Sequence, residues 1–253
     1  MNRSLSIRKP ILATAIALAC VSSAQADDWT FTVEPYAHAV TIEGDAALGR
    51  VNSDDVEVDF DTILETLNLG AMLNLKAVHS SGWGGAIDYA FMDLRDDVSG
   101  PRGGVADAKV RQAVLQAELI YFQQKGDASL EYLLGLRWWD NDLDLNIATA
   151  GGQIDSKLRK DVDWVDFFIG ARWVAPINED WRYMLRGDIG MGDADFTSSV
   201  EGGVQYSFSA NSTLSIKYKA TWVDYQEGSA NQQGYFKYDT TTHGPAIAYS
   251  YQF

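Results

Sequence analysis

Three histidines are the residues of this sequence whose type is most often catalytic, and their spacing decides what they could do. His38 and His243 fall at similar heights on the first and last predicted strands, which become neighbours if the sheet closes. Side-chain alternation places His38 on the inner face and His243 on the outer face, unless a bulge at Gly244–Pro245 changes the register. His79 lies at the other end of its strand. We therefore predict no catalytic residue, and a hydrolase (lipase or protease) is the third of three functional hypotheses.

The amino-acid composition limits which other kinds of functional site the chain could contain. The chain has 253 residues, with 20 Lys and Arg against 35 Asp and Glu, a formal net charge of −15. An acidic chain is a poor partner for nucleic acid, because phosphate binding needs a basic surface. A single cysteine excludes a disulfide framework and a cysteine-rich zinc site. The spacing Asp140-x-Asp142-x-Asp144 resembles the start of an EF-hand loop, but Leu145 replaces the required glycine. No metal or cofactor is predicted.

The first 26 residues have the pattern of a secretory signal peptide. Three basic residues precede an apolar run from Ile11 to Val21, and Ala24-Gln25-Ala26 is a cleavage sequence. Cys20 raises a lipoprotein alternative, but the residues before it fit a lipobox poorly. Cleavage after Ala26 leaves residues 27–253, without cysteine, and loss of three basic residues changes the net charge from −15 to −18.

The mature sequence alternates apolar and polar residues with a period of two, which is typical of strands. We count ten such segments. Short turns are predicted at 80–82, 125–127, 178–180 and 210–212, and longer loops at 43–66, 95–108, 146–161, 193–195 and 227–234. An even number of strands joined by alternating short turns and longer loops predicts an all-β, antiparallel up-and-down transmembrane β-barrel. Eight strands are the alternative count.

The strands of a secreted β-sandwich would also alternate apolar and polar residues, but two features favour the barrel. Every segment has one clean apolar face, whereas a sandwich needs protected edge strands. Aromatic residues also gather near the strand ends, as in the two girdles of a membrane barrel. We assign Trp138, Trp164, Trp222 and Tyr225 to the girdle at the loop end.

The last ten residues, Gly244 to Phe253, resemble the C-terminal signal of bacterial outer-membrane proteins. Segments 187–196, 222–225 and 236–245 are similar to motifs of small barrels of the OmpA-transmembrane, OmpW and opacity type. The resemblance implies an outer-membrane location with periplasmic termini and contact with lipid and lipopolysaccharide. It also implies recognition by the barrel-assembly machinery through Ile247, Tyr249, Tyr251 and Phe253. Ten strands depart from the eight that are usual in that group.

The predicted inner face carries balanced charge. Seven acidic and seven basic residues face inward, which favours mutual pairing because an unpaired buried charge costs several kcal/mol. A ten-stranded barrel lies near the size that its own side chains fill. We therefore predict a monomer with a largely closed, ion-paired lumen and a structural or surface-interaction role, and a narrow pore for small solutes is the second hypothesis. The inward-facing residues are Glu34, Lys76, Asp88, Glu118, Glu131, Arg137, Asp166, Arg172, Arg182, Arg186, Asp188, Glu201, Lys217 and Lys219.

The excess acid falls in the predicted loops, most of it in the first, and we also assign Asp140, Asp142, Asp161 and Asp163 to the third loop. A solvated loop surface is the simpler interpretation, and cation bridging to lipopolysaccharide phosphates is the alternative. Within the first loop, residues 61–67 predict a short helix capped by Asp61, either a lid over the barrel mouth or a helix packed on its rim.

Overall fold

Twelve strands and one helix make up the parts of the chain that the structure describes. This computed structural model describes residues 28–48, 51–99, 105–148, 154–230, 232 and 234–253, and the predicted signal segment lies outside them. No helix in these ranges is long and apolar enough to cross a membrane. The elements are β1 (Trp29–His38), β2 (Thr41–Leu48), β3 (Val51–Val58), α1 (Phe60–Thr66), β4 (Leu67–His79), β5 (Trp83–Ser99), β6 (Val105–Lys125), β7 (Ala128–Ala148), β8 (Ile154–Pro176), β9 (Trp181–Gly192), β10 (Phe196–Ser207), β11 (Ser212–Glu227) and β12 (Phe236–Gln252).

The sheet closes into a ten-stranded antiparallel barrel, so the predicted fold class is confirmed and the eight-strand alternative is wrong. β1 pairs with both β4 and β12, which joins the two ends of the sheet. β1 and β2 act as one barrel strand, because β12 pairs with β1 along one half and with β2 along the other. β3 pairs only with β2 and lies outside the ring of ten.

A close approach of two backbones marks the junction between β1 and β2. The Ala39 amide donates to the Pro245 carbonyl at 2.9 Å. A Cβ atom on Gly244 would lie 1.8 Å from the Ala39 carbonyl oxygen, so only glycine fits there. The register continues unchanged across the junction, from His38 opposite Ala246 to Thr41 opposite His243. The bulge that would bring the two histidines together is therefore absent from this junction.

Alternation along the strands sorts the side chains as predicted. On β8, Phe167 and Ile169 are 48% and 52% exposed on the outer face, whereas Asp166 and Phe168 are fully buried inside. Large apolar side chains are exposed on the outside of other barrel strands as well. Such an apolar exterior is stable where the surrounding solvent is hydrocarbon.

The four short turns are confirmed, and they define the turn end of the barrel. The opposite end, which we call the loop end, differs from prediction. Most of the predicted loops 95–108 and 146–161 continue as strands of β5 to β8. The predicted first loop contains β2, β3 and α1. The helix begins at Phe60 rather than Asp61, and its N-cap is Asp59, whose carboxylate accepts from the Thr62 amide at 2.8 Å.

Unequal strand lengths shape the loop end into two facing sheets. β9 and β10 have 12 residues each, and β8 continues past its last pair with β9, Asp166–Gly192. Beyond this short hairpin, one sheet consists of β5 to β8 and the other of β11, β12, β2 and β3. Their inner faces pack together through a core of apolar side chains: Trp139, Val162, Trp164, Ala194, Val223, Tyr225 and Phe236.

Candidate functional site: the barrel interior

The structure places the predicted lumen residues on the inner face, where most of them form a charged network. Arg137 lies at its centre and is 2% exposed. Its guanidinium donates to Asp188 at 2.8 Å, to Thr197 at 2.9 Å and to Gln116 at 3.0 and 3.1 Å. The Phe168 ring lies 4.9 Å from the guanidinium carbon. A buried cation with this many partners is stable, because each charge and donor is compensated.

Two further groups of charges adjoin this network. Arg186 donates to Glu118 at 2.6 Å and lies 3.8 Å from Asp188, which links it to the central network. Glu131 pairs with Lys76 and, at 3.4 Å, with Arg172.

Lys217 bridges two carboxylates across the first barrel strand and β10. Its ammonium lies 3.1 Å from both Glu34 and Glu201. The Ser250 hydroxyl donates to the second oxygen of Glu34. Glu201 lies on the neighbouring strand β10, whereas Glu34 lies two strands away, beyond β12. The pairs Arg186–Glu118 and Lys76–Glu131 connect strands that are further apart in the sheet, so they cross the lumen and narrow it.

Four of the predicted residues lie outside these ion pairs. Asp88 accepts hydrogen bonds from Tyr36 at 2.9 Å and from Asn74 at 3.2 Å. Asp166 accepts from the Trp164 indole at 3.1 Å and from the Ala194 amide at 3.0 Å. The expectation that both carboxylates have cationic partners is therefore wrong, because neutral donors satisfy them instead.

Lys219 and Arg182 are the other two, and neither side chain forms an ion pair among the described residues; Arg182 is exposed. A prediction from charge alone does not include the tyrosine, asparagine and tryptophan donors on the same inner faces. These donors could be identified from the sequence, because their positions alternate inward like those of the charged residues.

Aromatic rings pack across the lumen at the loop end. Trp164 stacks on Tyr225 with ring centroids 4.1 Å apart and planes 9° apart, and Trp139 stacks on Trp164 at 5.4 Å. The assignment of Trp164 and Tyr225 to the outer girdle is wrong, since both face inward and are 1% and 7% exposed. We call Trp139, Trp164, Tyr225, Phe236 and Tyr238 the aromatic closure. Two layers of interacting side chains therefore lie in series along the axis, aromatic rings at the loop end and ion pairs below them.

The three histidines are held apart in separate contacts. His38 lies inside, 3.2 Å from the Gly244 carbonyl oxygen. His243 lies on the outer face between the Tyr218 hydroxyl at 2.8 Å and Glu43 at 3.3 Å. His79 contacts the Ser81 hydroxyl at the turn end, at 2.8 Å.

Several acidic residues that the sequence analysis assigns to loops lie on strands instead. Asp140 is directly opposite Asp163, and Asp142 is directly opposite Asp161, on the outer face beyond the apolar belt. Partial burial and the facing carboxylates raise the pKa of Asp140 and of Asp142 above their usual range. Among the described residues, no three His, Cys, Asp or Glu side chains are arranged to hold a metal ion.

Removing one of these facing carboxylates tests the repulsion. We expect Asp161→Asn to lower the pKa of Asp142 toward its ordinary value. Because a raised carboxyl pKa makes the folded state less stable at pH values above it, the substitution should raise the unfolding temperature at pH 7 and have a smaller effect at pH 3. Thermal unfolding in detergent at the two pH values measures this, with Asp127→Asn in a short turn as control. An equal shift at both pH values would contradict the repulsion.

The C-terminal residues of the resemblance lie on the outer face of β12 and just after it. Ile247, Tyr249, Tyr251 and Phe253 are all exposed. Tyr251 and Phe253 form an edge-to-face pair with centroids 4.9 Å apart. They are therefore accessible at the turn end of the barrel.

Comparison with known proteins supports the fold. No family model and no curated protein matches the sequence. Among solved structures, the outer membrane protease OmpT from Escherichia coli is similar with a TM-score of 0.52 and 9% identity, over 90% of this chain and 98% of OmpT. The translocator domain of the autotransporter NalP from Neisseria meningitidis has a TM-score of 0.49 and 11% identity, over 95% of this chain and 93% of the domain. Ail from Yersinia pestis has a TM-score of 0.39 and 10% identity, over 89% of this chain and 99% of Ail.

At this level of identity the likeness shows the fold alone, and the OmpT comparison carries it. An antiparallel barrel of ten strands, with an apolar exterior and a polar, charged interior, agrees with that likeness. The chain is a β-barrel of the bacterial outer-membrane type.

Proposed function

We propose that this protein is an integral outer-membrane barrel with a closed lumen, which acts through its surface as a structural or interaction protein. The aromatic closure is the observation that carries the proposal, because Trp164 and Tyr225 meet between opposite sheets where a channel would need open space. The ion pairs below it, among them Arg137–Asp188 and Arg186–Glu118, supply the second barrier.

The proposal includes the orientation and the partners that the sequence suggests. The signal segment directs export, and both termini then lie in the periplasm with the loop end outside the cell. Exposed Tyr251 and Phe253 are available to the barrel-assembly machinery, and the outer face contacts lipid and lipopolysaccharide. We propose that the protein is a monomer of the OmpA-transmembrane, OmpW and opacity type, with ten strands instead of the usual eight. The sequence motifs alone support this assignment.

A narrow pore is the second candidate, and one observation favours it. The Trp139 indole nitrogen, the Asn141 amide nitrogen and the Thr240 hydroxyl are buried at the loop end and lack a partner among the described residues. Buried donors without protein partners are commonly satisfied by water. A thread of water at this position would favour the passage of small solutes.

Planar-bilayer recording separates the two candidates. For the folded protein we expect no steady unitary conductance steps, because both barriers lie on the axis. Heat-modifiable migration in detergent gels confirms that the sample is folded. Defined, reproducible conductance steps from that sample would overturn the closed lumen and establish the pore.

A further inference from the structure

The barrel wall has an opening in its side, which we call the side window. The ladder between β1 and β4 ends at the pair Pro35–Leu73. Above it, the first barrel strand pairs with none of the described residues on this side over positions 36–41, until Ile42 pairs with Val58 of β3. On the other side, residues 67–72 of β4 pair only with β5. α1 joins β3 to β4 above the window and contacts β5.

The two edges of the side window carry backbone groups without ladder partners. In the described part of the chain, the only additional backbone hydrogen bond at residues 36–41 is that of Ala39, which points to β12. Unsatisfied backbone groups facing hydrocarbon cost several kcal/mol each, so irregular backbone at membrane depth lines water, protein or a polar ligand. Lipid tails alone are therefore a poor occupant of this site.

The height of the window indicates which part of the membrane meets it. The β1–β4 ladder has seven pairs, from Trp29–His79 to Pro35–Leu73. With a rise of about 3.3 Å per residue and a tilt of about 40°, the window starts roughly 15 Å above Trp29 and ends roughly 30 Å above it. The apolar belt of such barrels is about 25 Å tall. The window thus begins in the acyl-chain region of the outer leaflet and reaches the level where the ester or amide groups of the lipids meet their head groups.

The lining of the window is apolar outside and polar inside. Leu64, Leu67 and Leu69 are 56%, 38% and 57% exposed around its upper and β4 sides. Inside, Tyr36 extends from the first strand to Asp88 on β5, which also accepts from Asn74 of β4. This arrangement matches an amphiphile, with polar groups at the strand edges and acyl chains along the outer wall.

We propose that the side window is a docking site for an outer-leaflet lipid, whose head region enters the wall and forms hydrogen bonds with the open strand edges. The site is independent of axial conductance, because it opens to the membrane and not to either end of the barrel. A result against lipid binding at the window would therefore leave the proposed closed lumen unaffected. Likewise, a conducting lumen would leave the window proposal unaffected.

Site-directed quenching tests the proposal, since the mature chain has no native cysteine. Met72→Cys places a label on the inner face beside the window, and Thr221→Cys places one on the inner face of β11, behind continuous wall. Each variant carries bimane and is reconstituted in phosphatidylcholine vesicles, with and without a nitroxide on the choline head group. We expect at least about twofold stronger quenching at position 72 than at position 221.

Equal or weaker quenching at position 72 would overturn the docking site. Folding of each variant is checked by heat-modifiable migration. If Met72→Cys does not fold, Gly70→Cys gives the same comparison from the next inward-facing position along the β4 edge of the window, where a Cβ atom would meet no atom closer than 3.6 Å.

Discussion

Trp164→Ala should lower the free energy of unfolding by about 3–5 kcal/mol, the range for removal of a large buried aromatic side chain. Trp164 is 1% exposed and stacks on both Trp139 and Tyr225. Its indole also donates to the buried Asp166, which would lose a hydrogen bond. The substitution therefore combines a cavity with a weakened carboxylate, and we expect it to separate the two sheets at the loop end.

Urea unfolding in detergent, followed by tryptophan fluorescence, measures the loss. Trp138→Ala is the matched control, because Trp138 is the same residue type and lies next to Trp139 in sequence but on the outer face. We expect the control to lose clearly less stability. Equal losses for the two variants would contradict a special role of the aromatic closure.

The sequence was sufficient to predict the barrel, because strand alternation is local. Each inward residue could be assigned by counting in twos from an apolar outward neighbour, as with Asp166 between Val165 and Phe167. The turn positions follow from short polar segments with glycine, such as Gly82 and Gly126, which adopt positive φ angles of 89° and 64°. These features do not depend on distant parts of the chain.

The aromatic closure could not be predicted in the same way. Trp164 and Tyr225 lie on β8 and β11, which meet only because the β9–β10 hairpin between them is short. The charged residues at the loop end also led to a wrong prediction. Asp140, Asp142 and Asp161 suggested loops, but they lie on strands outside the apolar belt. Beyond the membrane a strand needs no apolar outer face, so its alternation no longer identifies it.

The sequence also could not predict which of the inward-facing charged residues pair with one another. Parity placed Glu34 and Lys217 on the same inner surface, but their contact joins residues at opposite ends of the chain. Which carboxylate meets a cation depends on the stagger of the strands around the barrel. Asp88 shows the consequence, since Tyr36 rather than a cation reaches it.

Arg137→Met should destabilise the protein by about 3 kcal/mol or more, because it leaves Asp188 as a poorly compensated buried charge. The side chains of Arg137 and Asp188 are 2% and 1% exposed. Arg186 lies 3.8 Å from the second oxygen of Asp188 and compensates it only in part. Gln116 and Thr197 lose their donor as well, which adds to the cost.

A double-mutant cycle separates the charge from the packing. The variant Arg137→Met/Asp188→Leu removes both charges, so we expect it to recover most of the stability lost by Arg137→Met alone. Lys160→Met is the control, since its pair with Glu227 at 2.9 Å is exposed at the loop end and should contribute less than about 1 kcal/mol. Urea unfolding in detergent measures all the variants. If the double variant were no more stable than Arg137→Met, the unpaired charge would not be the cause, and the network would act through the shape of Arg137 in the lumen.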